Sequence, residues 1–346
     1  MTDRFLTDGD RDVVVCGRVC LLRNLGGIPF PPLLDAGGRH RVLEEIRAAV
    51  PDRGDLPPGR FRFFAMDAVG ETEAVSFVER GWADADFIAE REERGLFVSE
   101  DRSCSILVNG ENHVSVRAVS AGSGLRQAFR LADWLDTVLD KSLHFAFDPR
   151  LGYLTRSPAH LGTGMVAAFL LHLPALAGCG AIARLSSNLL RIGMSLQNLR
   201  EPDSDAGGAA YRLVNRMTMG LSEQEAVDNL IGIARQVVGQ EREARAQSLA
   251  APAAEKAVKD AARSLRTAKT LTYEEFLEKI SLVRLGIAAR LLSGVGLDMA
   301  DRLAKLVQPA TLSLSGGAAA APQANGLLRA AAVREALSGL AESGAV

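Results

Sequence analysis

The residues that could do chemistry lie in a few short strings. Leu161-Gly162-Thr163-Gly164 is a loop without bulky side chains, set immediately before an apolar run that begins at Met165. Backbone N–H groups so uncovered at the start of a helix can receive an anion. Upstream, Asp148-Pro149 is turn chemistry, Gly152-Tyr153-Leu154-Thr155 is a short β-prone run, and Ser157 before Pro158 reads as a turn or cap residue. Glu111 stands in a turn between two strand-like runs, where an acid is ordinarily solvated. Taken singly, Arg18 and Arg200 read as surface charges, and His113 and His172 as hydrogen-bonded structural histidines. Cys16 and Cys20 are not matched by a second Cys or His pair at metal-ligand spacing, so the cysteines read as free or buried thiols rather than a zinc site.

Positioning such groups requires a scaffold, and 346 residues are enough for two domains. Hydrophobic content of 47% with 24% charged residues is that of a soluble globular protein, and a net charge of −2 gives no basic footprint for nucleic acid. The start, MTDRFLTDGDRD, is acidic and lacks an apolar core, so no secretion signal is expected and a cytoplasmic location is. From Ser157 to Ala183 there is no charged side chain, a length that could span a bilayer. Pro174 and Gly178-Cys179-Gly180 interrupt it, so the reading is a buried helix, a proline stop, then more helix or loop, with no membrane span.

Strands are expected at Val13–Leu22, Arg60–Ala65, Ala74–Val78 and Tyr211–Met219, and a hairpin over Ser103–Val119 turning at Asn109-Gly110. Helices are expected at Arg39–Val50, Asp84–Arg94, Leu125–Leu143 and Ala181–Gly193, with a capping box of Ser222 and Glu225 opening another that runs with breaks to Leu249. Ser195–Ala210 reads as a loop. Composition changes at Ala250–Ala254. Beyond it the pattern is helical at Glu255–Ala268, Thr272–Leu292, Asp298–Leu306 and Leu327–Leu340, with a Ser/Gly/Ala-rich connection over Thr311–Ala324.

The string FDPRLGYLTRSPAHLGTGMVAAFLLHLPAL, Phe147 to Leu176, resembles the centre of the ATP:guanido phosphotransferases, and within them the bacterial protein arginine kinases. The resemblance covers nearly the whole chain. It implies an α+β fold: an antiparallel sheet flanked by helices (the guanido kinase catalytic domain, glutamine-synthetase-like) over 1–249, then a C-terminal helical domain over 250–346. It implies ATP and Mg²⁺ as cofactors if the chain is active. Such a reaction needs cations around a triphosphate of roughly −4 charge, and a carboxylate that orients the guanidinium and takes its proton.

The family meets the first need with five arginines, and this sequence departs from the pattern at three of them. Gly17-Arg18-Val19-Cys20 resembles S-x-R-x-R, so Arg18 matches and Cys20 replaces an Arg. Asn109-Gly110-Glu111-Asn112-His113-Val114-Ser115 resembles NEEDH-x-R. Glu111 falls on the catalytic carboxylate, Asn112 replaces the acid beside hydrated Mg²⁺, and Ser115 replaces an Arg. Val166 replaces the Arg after the glycine loop, and Ser157 the reactive Cys. Against R-G-x-x-G-E, Arg200 matches and Asp205 falls on the second carboxylate. The candidate site is therefore Glu111, Asp205 and Ser157 as catalytic positions, with Arg18, Arg200 and His113 as nucleotide contacts. The terminal helix resembles the one linked to phosphoarginine binding in the arginine kinases but lacks the acidic and basic pair ahead of it, which leaves Arg329 and Arg334 as candidates for an anion site.

Each lost charge-assisted contact costs ~2–4 kcal/mol of transition-state stabilisation, roughly 10²–10³ in rate. The expected function is that of a pseudokinase that acts by binding in a protein quality-control or regulatory complex. Expected partners are an arginine kinase, its zinc-finger activator or a chaperone–protease component, and a second copy in a homodimer. The alternative is an active kinase with a rewired phosphate site that draws its cations from Arg117, Arg156 or Arg184.

Overall fold

The computed structural model describes residues 8–51, 59–199, 208–315 and 322–343. In chain order, β1 (Val14–Arg23) is followed by α1 (Ala36–Ala49), β2 (Phe61–Ala65), α2 (Glu71–Glu79), α3 (Ala85–Ala89), β3 (Gly95–Ser99), β4 (Cys104–Val108), β5 (Val114–Ala121) and α4 (Leu125–Leu143). A ribbon of β6 (Phe147–Asp148) and β7 (Gly152–Tyr153) leads to β8 (Met165–His172), α5 (Pro174–Gly178), α6 (Ile182–Arg191), β9 (Met194–Asn198), β10 (Ala210–Asn215) and α7 (Glu223–Leu249). Then come α8 (Pro252–Thr267), α9 (Tyr273–Ala288), β11 (Leu292–Ser293), α10 (Leu297–Leu306), α11 (Pro309–Ser315), α12 (Pro322–Ala336) and β12 (Ala341–Glu342).

Eight strands form one antiparallel sheet in the order β2-β3-β4-β5-β1-β8-β10-β9. Its two faces follow from the two-residue period of a strand. On one face Val19, Leu21, Val116, Ala118, Ala167 and Phe169 pack against the apolar stripe of α4, which carries Leu125, Ala128, Ala132, Leu135 and Leu139. On the other face, Leu96, Val98 and Leu107 lie under Phe77 and Phe87 of α2 and α3. That cover stops at β4, and the same face of β5, β1 and β8 is left as the floor of a cleft. A separate cluster, including Val258, Phe276, Val283, Leu303 and Val333, fills the space between the C-terminal helices.

The apolar run after the glycine loop is a central strand, not the buried helix expected. β8 lies between β1 and β10, with Met165, Ala167, Phe169 and Leu171 in the core and Val166 and Ala168 on the cleft floor, so apolar residues occupy both faces and run continuously instead of alternating. Residues 74–78 belong to helix α2, where a strand was expected, because Ala74 and Phe77 at i and i+3 share its buried face. Only Ala85–Ala89 of the charge-dense 84–94 stretch is helical. β3 lies in a stretch with no expected element, with all five of its residues buried, and β9 occupies part of the expected 195–210 loop. The capping box of Ser222 and Glu225 is present, and α7 runs unbroken. Residues 311–315 of the expected connection are helical, and 316–321 lie outside the described residues.

The sheet and α4 approach most closely at Gly17. A Cβ there would stand 2.9 Å from the Leu125 Cα and 3.0 Å from its N, both backbone atoms that cannot rotate away. Gly17→Ala is expected to lower unfolding free energy by about 1–3 kcal/mol, as overpacking does, read by urea denaturation.

Candidate functional site

The cleft over β5, β1 and β8 has a volume of about 730 Å³. An adjoining lobe of about 680 Å³ shares Leu22, Asp84, Glu111 and Arg117 with it. Paired residues on neighbouring antiparallel strands project to the same side. Cys20 pairs with Val166 on one side and with Arg117 on the other, and Leu22 pairs with Ser115. The three positions that depart from the arginine pattern therefore stand together, in two adjacent rows of the cleft floor. Burial pushes the Cys20 thiol pKa up against the lowering pull of Arg117, so the row keeps an uncharged thiol beside an isopropyl group.

Positive charge enters the cleft by other routes. Arg117, one strand period beyond Ser115, stands in the Cys20 row. Arg18 of β1, Arg212 of β10, and Arg80 and Arg102 from the connecting loops also line it. Arg302 and Lys305 of α10 line it from the C-terminal helices, where Glu79 of α2 accepts from the Ala310 N–H at 2.8 Å and the Thr311 N–H at 2.7 Å and so fixes α11 against α2. Arg117 is not free. Its Nη1 donates to Asp84 Oδ1 at 3.0 Å and its Nη2 to Asp84 Oδ2, a two-pronged pair. Partial desolvation would raise the Asp84 pKa, but Arg117, Arg212 and Arg18 together hold it below the usual carboxylate range.

Glu111 is exposed in the β4–β5 turn at the junction of the two lobes. Ser157 precedes a single 3-10 turn, Pro158–His160, and its carbonyl accepts from Thr155 Oγ1 at 2.9 Å; from that turn it is His160 that lines the cleft. Arg200 and Asp205 lie outside the described residues. Of the alternative cations, Arg117 lines both lobes and Arg156 the smaller one, while Arg184 is exposed on α6.

Four expectations need correction. His113 is buried behind the floor. Its Nδ1 accepts from the Leu25 N–H at 3.0 Å, so its Nε2 carries the hydrogen and donates to the Pro29 carbonyl, also at 3.0 Å. Both ring nitrogens are occupied, which makes His113 a support for the 24–29 loop and not a nucleotide contact. The glycine loop opens no helix, and its Thr163 N–H donates to the Thr218 carbonyl at 2.9 Å. Gly162, at φ +98°, lets the segment after β10 pass, since a Cβ would stand 2.1 Å from the Thr218 oxygen. Arg329 and Arg334 donate to backbone carbonyls, Arg329 to Val307 and Leu271 and Arg334 to Ala268, so they tie helices together instead of facing an anion.

The residues present fit the two cofactors unequally. Asn112, where the resemblance implies an acid beside Mg²⁺, is fully buried, and its Oδ1 accepts from Asn24 Nδ2 at 2.8 Å and from the Arg156 N–H at 2.9 Å. A neutral amide so engaged does not fit a divalent cation, and among the described residues no group of three or more His, Cys, Asp or Glu could hold a metal. A polyphosphate fits better. Arg18 Nε, Arg117 Nε and His160 Nδ1 are buried at the cleft without a hydrogen-bond partner among the described residues.

Residues 42–244 match the ATP:guanido phosphotransferase C-terminal catalytic domain. The chain belongs to this family. Residues 254–345 match the C-terminal domain of the protein-arginine kinase McsB. A protein-arginine kinase of Caldanaerobacter subterraneus subsp. tengcongensis is 32% identical over 305 residues, covering 88% of this chain and 90% of the relative. One from Moorella thermoacetica is 32% identical over 331 residues, 95% of each chain. Among solved structures, a lombricine kinase superposes with TM-score 0.61 at 18% identity over 70% of each chain. The duplicated taurocyamine kinase of Schistosoma mansoni, bound to transition-state analogue components, superposes with TM-score 0.60 at 24% identity, covering 77% of this chain and 38% of that one. These superpositions show the guanido kinase fold. No helix among the described residues is long and apolar enough to cross a membrane.

The buried histidine gives a pH signature. Burial depresses the His113 pKa from 6.5 to about 4, against a small raising contribution from the Pro29 carbonyl. The fold therefore holds His113 neutral. Its contribution to stability is complete above the unfolded pKa and is lost as pH falls from 6.5 toward 4, at most about 3 kcal/mol. Urea midpoints should fall across that window in the wild type and fall less steeply in His113→Asn. Equal slopes would contradict the assignment.

Proposed function

We propose that this member of the ATP:guanido phosphotransferase family is a pseudokinase: it binds a phosphate-bearing ligand in the cleft and carries out little or no phosphoryl transfer. The observation that carries this reading is the cross-strand row of Cys20 and Val166 with Ser115 beside it, which puts neutral groups at three adjacent points where the family pattern has arginines. Transfer needs cations fixed on the developing charge of the migrating phosphoryl group. Arg117, the one cation in that row, is already bound to a carboxylate, and Asn112 cannot stand in for an acid near the metal.

A second reading has its own support. Arg18, Arg212, Arg302 and Lys305 supply charge from positions outside the eroded row, which favours retained ATP binding and leaves room for an active enzyme with a rewired site. The wider role belongs to this proposal as well. Domains at 1–249 and 250–346, a cytoplasmic setting, a homodimer, and partnership with an arginine kinase, a zinc-finger activator or a chaperone–protease component follow from the resemblance, and the separate apolar clusters agree with the division.

The test is direct. The protein is incubated with Mg-ATP and an arginine-rich protein substrate, and acid-labile phosphate is measured. The expected result is background incorporation, the same in Glu111→Gln. Robust incorporation that disappears in Glu111→Gln would replace this reading by the rewired enzyme.

A further inference from the structure

The carboxylate that holds Arg117 does not belong to the sheet. Asp84 stands immediately before α3, the position at which an Asp ordinarily accepts from the helix's first amides. It makes no such bond. Its side chain turns to the cleft floor and takes both arms of Arg117, with Arg18 and Arg212 close enough to act on its charge. The segment that carries it is held independently. Phe87 is buried under α2, and Arg94 donates to the carbonyls of Asp86 at 2.9 Å and Phe87 at 2.7 Å. The Asp84 side chain itself remains 61% exposed, so a rotation about its own bonds is enough to carry it out into solvent.

The surrounding cations are under-used. Among the described residues no carboxylate pairs with Arg18 or Lys305, and Arg302 is paired only within its own helix, to Asp298 at 2.6 Å. Arg18 is packed against Gly81, where a Cβ would stand 2.8 Å from its Nη2, so its guanidinium is held in place over the floor by close contact and not by a counter-charge. A fixed arginine pair on the floor, cations on the opposite wall and a displaceable carboxylate between them are the parts from which an anion site is built.

We propose that Asp84 is a built-in counter-anion that stands in for a phosphate group, and that the cleft takes up an inorganic or nucleotide-borne polyphosphate when Asp84 swings out, with Arg302 and Lys305 closing on the outer phosphates. This rests on the reading that the cleft binds a phosphate-bearing ligand. It adds which residues grip that ligand, what competes with it, and that binding draws on the C-terminal helices. A polyphosphate of three or four negative charges replaces one carboxylate, so it recruits cations that Asp84 reaches only through space.

Isothermal titration of the full chain with sodium tripolyphosphate, ATP and adenosine tests this. Asp84→Asn should tighten tripolyphosphate binding by about tenfold, and Asp86→Asn, which removes an acid of the smaller lobe, should change it less than twofold. The double variant Arg302→Gln/Lys305→Gln should weaken binding by about fivefold or more. ATP binding no tighter than tripolyphosphate identifies a phosphate site; tighter ATP binding identifies a nucleotide site, and both fit the proposal. Unchanged affinity in Asp84→Asn, an equal gain in Asp86→Asn, or adenosine binding as well as ATP would overturn it. Acid-labile phosphate, measured on the same protein variants incubated with Mg-ATP and the arginine-rich substrate, keeps the two questions apart: turnover would remove the pseudokinase reading and leave the Asp84 result standing.

Discussion

Residues paired across antiparallel strands must share a face, and this constraint governs the whole site. The register of β1 with β5 and β8 brings positions 20, 115 and 166 together although they lie far apart in the chain. Three positions that look scattered in sequence are thus neighbours in space, and together they make a single uncharged patch of floor. The same register puts Arg117 into the Cys20 row. The patch is uncharged at positions 20, 115 and 166, and a cation stands one strand period from Ser115.

The rest of the molecule holds that floor flat and open. The stripe of α4 packs beneath β1, β5 and β8, with Gly17 allowing near contact, while α2 and α3 cover the neighbouring strands and stop short of the cleft. Buried polar groups secure the edges. Arg23 is wholly buried between Asp136 and Glu223 and stacks on Tyr153 with its guanidinium carbon 3.4 Å from the ring centre. Burial alone would lower the Arg23 pKa, but the two carboxylates raise it, so the charge is kept. The C-terminal helices are tied to the rest of the chain by Arg284, which reaches Asp301 at 2.8 Å and the Arg11 and Asp12 carbonyls, and by Glu79 at the start of α11. Cations of α10 therefore face a cleft whose floor belongs to the sheet.

Much of the architecture was legible in the sequence where local signals were strong. The amphipathic run of α4 is found over the residues expected, as are the hairpin around Asn109-Gly110 and the capping box at Ser222. Local signals failed where apolar residues occupy both faces of a strand and leave no alternation: β3 is buried at every residue, and β8 sets apolar side chains both in the core and on the cleft floor. In the site, matched motifs identified Arg18 and Glu111, which line the cleft, but could not reveal Asp84, Arg212, Arg302 or Lys305, which come together only through folding. One signal was available. Arg117 is two residues from Ser115, and on a strand that spacing alone puts both on one face. His113 misled because Glu111 and Ser115 of the same motif line the cleft while its ring turns inward to Leu25 and Pro29.

The central claim is that phosphate grip is limited by the neutral patch at positions 20, 115 and 166. The most direct measurement is ATP affinity, by titration calorimetry, of the triple variant Cys20→Arg/Ser115→Arg/Val166→Arg beside the wild type. Cations added at the floor of an intact cleft should tighten binding by about tenfold or more, as charge-assisted contacts to a triphosphate do. A folded triple variant that binds ATP no better than the wild type would contradict the account.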